Sequence, residues 1–344
     1  MGNANKIKFA IIGFGAIGTR HKEKIDQFEK AELAAVCEPD KSKTIQIEKE
    51  GIPVFSDYRD MLLLNDIDVV SICTPNYLHG SMTVESIKAD KHVLCEKPMA
   101  LTSKECKLMV HTALQYNKKL FIVKQNRYNA PVMAVKKIMD ENKMGKLYSI
   151  IVNCFWNRNE GYYKGSPWKG KKEYDGGALF TQFSHFIDIM LMFGKSVHFV
   201  QAVSANLNHP YIDIDDTGVV TLQFDNGAIG SINYTNCAYQ KNMEGSITIF
   251  AENGTIKIGG QYLNELEYQK MNGGSIKLSA TSKGANEYGT YQGSMSNHDK
   301  VYENVIDSLT NGSKIAVDGI EGMWTTEVIE AAYKSVQSGE RVYL

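Results

Sequence analysis

Apolar positions follow two different patterns along the 344-residue chain. Up to about residue 125, short apolar runs alternate with amphipathic stretches. Ile7–Ile12, Leu33–Cys37, Pro53–Phe55, Val69–Cys73, His92–Cys95 and Leu120–Val123 predict buried strands. Between them, Ala16–Phe28, Ser42–Glu50, a stretch from Asp57 to Asn65, Ser81–Ala89 and Ser103–Tyr116 predict helices, the last with Thr102 and Glu105 as a capping box. Strand–helix alternation with short loops predicts a parallel, doubly wound sheet. The second half reads differently. Pro131–Asn142 predicts a helix, Leu147–Trp156 a long strand, and Ala178–Phe193 an amphipathic helix ended by Gly194. Strands Val197–Ser204, Gly218–Phe224, Ala228–Asn236, Ser246–Ala251 and Thr255–Ile258 follow, joined in part by the turns Asp225-Asn226-Gly227 and Glu252-Asn253-Gly254. Residues 270–297, rich in Gly, Ser, Asn and Lys, read as a loose excursion, and helices His298–Leu309 and Gly319–Ser338 close the chain. The expected fold is α/β: a doubly wound parallel domain over 1–125, then an α+β domain over 126–344 with a mostly antiparallel open sheet. The terminal helices are free to pack back on the first domain.

In a doubly wound sheet, ligands bind at the carboxyl ends of the strands. Chain order brings five loops to that edge: the turn after Ile12, Glu38, Thr74-Pro75-Asn76-Tyr77-Leu78-His79, Glu96-Lys97-Pro98 and Gln125-Asn126-Arg127-Tyr128. The first of these, Gly13-Phe14-Gly15-Ala16-Ile17-Gly18, has the spacing in which one glycine makes the turn, one admits a pyrophosphate to bare backbone and one lets helix and strand close up. The following helix offers free N–H groups to the phosphates. Glu38 lies twenty residues after Gly18, the offset of a carboxylate that holds a ribose 2′-hydroxyl, which predicts NAD in preference to NADP. Thr74, Pro75, Asn76, His79, Glu96, Lys97, Gln125 and Asn126 are the further candidate cofactor contacts, together with Trp168 from the second domain.

Composition narrows the class. An apolar share of 43% with 22% charged residues suits a globular protein, and a net charge of −1 gives no electrostatic case for nucleic acid or an acidic membrane surface. No apolar run is long enough to span a bilayer, and the polar Met1–Lys6 segment resembles neither a signal peptide nor an acylation site. The six cysteines form no C-x-x-C pair and read as reduced core residues of a cytoplasmic protein, with no metal site expected.

Hydride transfer to a nicotinamide needs a group that handles the hydroxyl proton. Lys97 at a strand end and His185 in the helix after Gly176-Gly177 are the two candidates. Helical spacing puts Thr181, His185 and Asp188 near one polar face, although a hydrogen-bonded core histidine fits the same pattern. The loop 156–175 interleaves Arg158, Lys164, Lys169, Lys171 and Lys172 with Tyr162, Tyr163 and Trp168, which suits stacking on a sugar ring and pairing with an anionic group. Lys97, Arg127, Tyr128, Arg158, Tyr163, Lys172, Thr181, Gln182 and His185 are the candidate substrate contacts. His111, His198, His209 and His298 have no convergent partners in the sequence.

Gly13–Gly18, Thr74-Pro75-Asn76 with His79, Glu96-Lys97-Pro98, Gln125-Asn126-Arg127-Tyr128, and Asp175-Gly176-Gly177 leading to His185 together resemble the Gfo/Idh/MocA oxidoreductases over essentially the whole chain. The resemblance implies a Rossmann domain, NAD(H) or NADP(H), a small-molecule sugar, sugar-nucleotide or inositol substrate oxidised at a ring hydroxyl, and Lys97 with His185 as the catalytic pair. It also implies a homodimer or homotetramer assembled through the C-terminal sheet. Many members carry Asp or Asn four residues before the histidine; here Thr181 stands there, which can hydrogen-bond but cannot carry charge, so a carboxylate-assisted relay through this position is not expected. The run Trp156-Asn157-Arg158, Tyr162-Tyr163 and Trp168-Lys169-Gly170 is similar to members that act as 3-dehydrogenases on UDP-linked N-acetylhexosaminuronic acids, in which Arg158 or a loop lysine would meet the uronate carboxylate. The alternatives are a non-catalytic dinucleotide-binding sensor and an enzyme that retains NAD through sugar chemistry with no net redox change.

Overall fold

A computed structural model describes residues 6–278, 284–287 and 292–344. The N-terminal segment read as lacking a signal lies outside the described residues except for Lys6, as does part of the excursion over 270–297. The chain divides into two compact units: residues 1–123 with 298–323, and residues 124–297 with 324–344. The first unit therefore ends two residues before the expected boundary at 125 and takes in residues 298–323 from the end of the chain.

In the first unit, strands β1 (Ile7–Ile12), β2 (Ala31–Cys37), β3 (Val54–Phe55), β4 (Val69–Ile72), β5 (His92–Cys95) and β6 (Leu120–Ile122) form one parallel sheet in the order β3-β2-β1-β4-β5-β6. Helices α1 (Ala16–Ile25), α2 (Ile45–Lys49), α3 (Tyr58–Leu62), α4 (His79–Lys88) and α5 (Ser103–Gln115) connect them. The reversal of strand order between β1 and β4 opens a crevice at the carboxyl edge, where the loops of this unit lie. The capping box holds as expected: Glu105 N–H donates to Thr102 Oγ1 at 3.2 Å. The stretch 42–50 is shorter than expected, because a single 3-10 turn, Lys41–Lys43, precedes α2. Ile12, Val70, Ile72, Val93, Cys95 and Ile122 form much of the buried core, with Val317 from the closing segment packed among them.

The second unit contains α6 (Ala130–Asp140), β7 (Leu147–Phe155), α7 (Glu160–Lys164), α8 (Lys172–Asp175), α9 (Ala178–Thr181) and α10 (Ser184–Gly194). Then come β8 (Val197–Ala205), β9 (Thr217–Phe224), β10 (Ile229–Thr235), β11 (Glu244–Ala251), β12 (Gly254–Gly259) and β13 (Glu265–Met271), and a short pair, β14 (Ala285–Glu287) with β15 (Gln292–Met295). The helices α11 (His298–Thr310) and α12 (Gly319–Ser338) and the strand β16 (Val342–Tyr343) end the chain. The large sheet runs β13-β12-β11-β7-β10-β9-β8-β16, antiparallel throughout except for the β10–β7 pair. One face is buried, with Ile150, Val152, Val220, Leu222, Ile232, Ile247 and Ile249 beneath it, and α10 packs against β7 and β11. The other face carries Val203, Val219, Ile229 and Phe250 exposed.

One expected element divides. The sequence pattern predicts a single helix over 178–193, but the chain breaks at Gln182–Phe183. Phe183 N–H bonds to Ala178 O at 3.2 Å, one residue beyond the α-helical register. Packing drives the slip. The fully buried Phe183 ring sits against Trp156 and Tyr234 at 5.7 and 5.3 Å, and Gln182 turns toward Arg158. The Thr181–His185–Asp188 face expected from a continuous helix therefore does not form.

Candidate active site

The glycine turn has the geometry its spacing predicts. Gly13 adopts φ +91°, and a Cβ there would lie 2.8 Å from the Cys73 carbonyl oxygen. A Cβ on Gly18 would lie 2.1 Å from the Gly13 oxygen. Gly15 differs: a Cβ there would meet nothing within 4 Å, so protein packing does not demand a glycine. It stands at the N-terminus of α1 and offers no side-chain cap to the first-turn N–H groups. Those features suit an incoming pyrophosphate. Glu38 is buried, its Oε2 accepting the Phe14 N–H at 2.8 Å and its Oε1 the Asp40 N–H at 3.1 Å and Lys43 Nζ at 3.4 Å. These contacts fix the carboxylate beside the glycine turn and leave lone pairs for a ribose hydroxyl. Removing it by Glu38→Ala deletes a charged acceptor. We expect the preference for NADH over NADPH to fall about tenfold or more, read as the ratio of two dissociation constants from fluorescence titration; an unchanged ratio removes Glu38 as the ribose partner.

The next loops hold polar atoms that the protein leaves unsatisfied. Thr74 Oγ1 is buried with no hydrogen-bond partner, and in the second unit so are Gln125 Oε1 and both side-chain polar atoms of Asn126. An orphaned buried polar group costs about 1–3 kcal/mol, so in each unit taken by itself these atoms are suited to a polar ligand. His79 is placed otherwise. Its ring is buried, with Nδ1 2.7 Å from Pro98 O and Nε2 2.8 Å from Thr74 O. It joins two loops instead of presenting a nitrogen to a ligand. Burial pushes its pKa down, opposed by the two carbonyls. The Lys97–Pro98 peptide is cis. Lys97 is half-buried, and its backbone N–H donates to Glu96 Oε2 at 3.0 Å.

Glu96 corrects the expectation of a cofactor contact, since its carboxylate turns inward. Oε1 lies 3.0 Å from His21 Nε2 and 3.4 Å from His298 Nε2. Burial alone would push this carboxyl up, but the hydrogen bonds and charges of His21 and His298 outweigh it and hold it well below the usual carboxylate range. His298, which has no partner visible in the sequence, thus meets a carboxylate 202 positions away (298 minus 96), and His21, read only as a helix residue, joins it. No local spacing signals a contact across such a separation.

In the second unit, His185 is the second residue of α10 and is buried. Gln125 Nε2 approaches its Nε2 at 3.4 Å and donates to Ser294 Oγ at 2.8 Å. Thr181 Oγ1 donates to the Asp175 carboxylate, whose other oxygen accepts the Gly170 N–H at 2.8 Å. Position 181 thus carries no charge itself, but a carboxylate is bonded to its hydroxyl. Burial raises the Asp175 pKa to about 6, against hydrogen bonds from Thr181, Gly170 and Gly177 and the charge of Lys169. A carboxyl whose folded pKa lies above its unfolded value stabilises the fold most below about pH 4, and that contribution is lost as pH rises through about 6. We expect fluorescence of Trp168, on the loop this carboxylate pins, to titrate near pH 6 in the native chain. The transition disappears in Asp175→Asn; its persistence there would exclude Asp175 as the titrating group.

Several candidate substrate contacts are structural supports. Arg127 Nε and Nη2 bond to Asp188 at 2.7 and 2.8 Å, and buried Lys124 Nζ lies 3.8 Å from the same carboxylate. Arg127 therefore anchors α10 through Asp188. Arg158 is among the largest fully buried side chains. Its Nε donates to Gln182 Oε1 at 2.7 Å, and Nη1 to Asn157 O at 2.7 Å and Asn242 Oδ1 at 3.2 Å. The guanidinium lies 4.9 Å from the Trp156 ring centre and 5.3 Å from that of Tyr162. Gln182 Nε2 completes the set on Tyr162 Oη at 2.6 Å. Tyr163 packs with Tyr162, Ile212 and Ile214 in a small core of its own. His209, also without a partner in the sequence, bonds Asp216 and the Arg158 carbonyl, each at 2.7 Å. Lys172 is exposed, Tyr128 and Trp168 are half-buried, and Lys169 Nζ stands 4.0 Å over the Tyr162 ring. The exposed or half-exposed cations of the loop are its lysines, because Arg158 is enclosed.

Among the described residues, two clusters have side chains close enough to share a metal ion, His21–Glu96–His298 and His209–Asp216–Cys237. In each, a histidine–carboxylate hydrogen bond already satisfies the closest pair. All six cysteines are free. No helix of the described residues is long and apolar enough to cross a membrane.

Comparison with known proteins identifies the family. Residues 7–124 match the family described as oxidoreductase family, NAD-binding Rossmann fold, and residues 136–344 match its C-terminal alpha/beta domain. The crystal structure of the WlbA dehydrogenase from Bordetella pertussis, in complex with NADH and UDP-GlcNAcA, is 35% identical with a TM-score of 0.89, covering 99% of each chain. The WlbA enzyme from Chromobacterium violaceum, crystallised with the same two ligands, is 35% identical with a TM-score of 0.91, covering 100% of this chain and 97% of that one. A 2,7-anhydro-N-acetylneuraminate hydratase from Escherichia coli is 26% identical over 270 residues, 74% of this chain and 71% of that protein.

Proposed function

We propose, since the chain belongs to the Gfo/Idh/MocA family of NAD-dependent sugar oxidoreductases, that its substrate is a UDP-linked N-acetylhexosaminuronic acid oxidised at a ring hydroxyl. The observation that carries this is the full-length likeness, at 35% identity, to two dehydrogenases crystallised with NADH and UDP-GlcNAcA. Likeness to the 3-dehydrogenase subgroup in the 156–170 loop supports C3 as the carbon. NAD, when held there, would supply the hydride acceptor. Lys97 orients the hydroxyl and offsets negative charge developing on its oxygen, and His185 takes the proton. The loop lysines meet the uronate carboxylate, while Arg158 holds the loop through Asn157, Gln182 and Asn242. Glu38, the glycine turn, Thr74 and Asn126 hold the cofactor.

The test is NAD reduction against a panel of UDP-linked uronic acids, the corresponding neutral UDP-sugars, free sugars and inositols. A kcat/KM at least tenfold higher for UDP-uronates than for neutral UDP-sugars supports the reading, and turnover confined to free sugars or inositols removes it. A second reading, sugar chemistry with no net redox change, draws on the similarity to the hydratase. It predicts turnover with no accumulation of NADH.

Self-association through the exposed apolar face of the large sheet belongs to the same proposal. We expect light scattering to give a dimeric or tetrameric mass that falls on Val219→Lys; a monomeric native chain contradicts it.

A further inference from the structure

A buried polar cluster of the first unit is joined to the Lys97 backbone through Glu96. Ser71, His21, Tyr302, Glu96 and His298 are all buried. Ser71 Oγ is 3.0 Å from Tyr302 Oη, which is 2.8 Å from His21 Nδ1, and His21 Nε2 is 3.0 Å from Glu96 Oε1. One direction of donation runs through the chain, Ser71 to Tyr302, Tyr302 to His21, His21 to Glu96, while His298 Nε2 stands 3.4 Å from the same Glu96 oxygen. The other carboxylate oxygen accepts the Lys97 N–H. His79, on the far side, meets the Pro98 carbonyl. The backbone around Lys97 is thus tied at both ends. A core built for stability alone would fill this volume with apolar side chains, since buried charge is costly to desolvate.

We infer that the Glu96 carboxylate, backed by the Ser71–Tyr302–His21 chain and by His298, is the positioning residue that orients Lys97 and supplies its ammonium with a counter-charge; this rests on Lys97 acting as proposed above. The groups facing Glu96 leave it that role. Burial pushes the Cys73 and Cys95 thiols up, so neither carries charge, and it pushes His298 and His79 down. Arg20 and Lys97 are basic side chains nearby, Arg20 acting on His298 and Lys97 on His79. Without the carboxylate, Lys97 loses the negative charge of the adjacent residue and binds its proton less tightly. The 3.0 Å His21–Glu96 separation, with Tyr302 on the other ring nitrogen, is that of a hydrogen bond.

The experiment compares Glu96→Gln and Glu96→Asp in the full chain. Glu96→Gln removes the charge and exchanges one acceptor oxygen for an NH2 donor facing His21, while its amide oxygen still accepts the Lys97 N–H. We expect its NADH affinity to stay within about threefold and its kcat to fall about tenfold. The alkaline decline of kcat should move to lower pH by about half a unit or more. Glu96→Asp keeps the charge but withdraws the acceptor, so kcat falls while the alkaline decline stays in place. A native kcat and pH profile in Glu96→Gln overturns the inference, as does stoichiometric zinc in the purified native protein. If Glu96→Gln does not fold by circular dichroism, Glu96→Asp decides: reduced kcat with an unmoved decline supports the inference, and native kcat overturns it. Lys97→Ala keeps the two levels apart. Full activity there removes the functional proposal, whereas an inactive Lys97→Ala beside a normal Glu96→Gln removes this inference alone.

Discussion

Lys97→Ala and His185→Ala should each lower turnover by about 100-fold or more while NADH still binds with near-native affinity. The expectation rests on where each side chain stands. Lys97 follows the strand that ends at Cys95, on a backbone held by Glu96 and His79, with its side chain half-buried. His185 opens α10 beside the Gln125 amide, buried in the second unit. Neither helps form the glycine turn or holds Glu38, so cofactor affinity should survive. Proton transfer by a positioned side chain is worth about 100- to 10,000-fold, and a group acting mainly in the transition state shows its loss in kcat more than in KM. Stopped-flow turnover with tryptophan-quenching titration separates the two effects. If both variants turn over at native rates, neither residue is catalytic.

Asp188→Ala should cost about 3–5 kcal/mol of stability, visible as a fall of about 10 °C in Tm. The carboxylate is buried and takes a two-point hydrogen bond from Arg127, with Lys124 and Thr325 Oγ1 close to the same oxygen. Truncating it leaves two cations in a poorly solvated place without their counter-charge, which costs more than the pair contributes while intact. Burial pushes the Asp188 carboxyl up, but Arg127 and Lys124 outweigh that and hold it below its ordinary value. Its contribution is therefore complete above about pH 4 and is lost as pH falls through the lower folded pKa. The variant should lose that part of the native chain's acid sensitivity. Differential scanning calorimetry across pH measures both effects, and a native Tm in Asp188→Ala would show the cluster to be dispensable.

Patterns with short range were legible in the sequence. The six strands of the first sheet follow from apolar runs, and their parallel arrangement follows from alternation with helices. The glycine turn, Glu38 and Lys97 then fall at the carboxyl edge by chain order alone. The break at Gln182–Phe183 was not legible, because hydrophobic spacing there is compatible with one continuous helix and the ring packing on Trp156 and Tyr234 decides otherwise. Long-range polar pairing was equally hidden. Arg127 and Arg158 look like free cations in a loop sequence, yet Asp188 takes one, and Gln182, Asn157 and Asn242 enclose the other. Thr181 reads as the loss of a carboxylate, and only the fold brings Asp175 to its hydroxyl. His21, Glu96 and His298 meet through three separate elements, which no spacing rule anticipates.

The most direct test follows the hydride itself. UDP-N-acetylglucosaminuronic acid carrying deuterium at C3 is mixed with the purified protein and NAD, and the nicotinamide formed is examined by mass spectrometry and NMR. Oxidation at C3 by hydride transfer predicts deuterium at the nicotinamide C4 and a 3-keto sugar nucleotide. NADH free of deuterium, or a product formed with no net change in NAD, would contradict it.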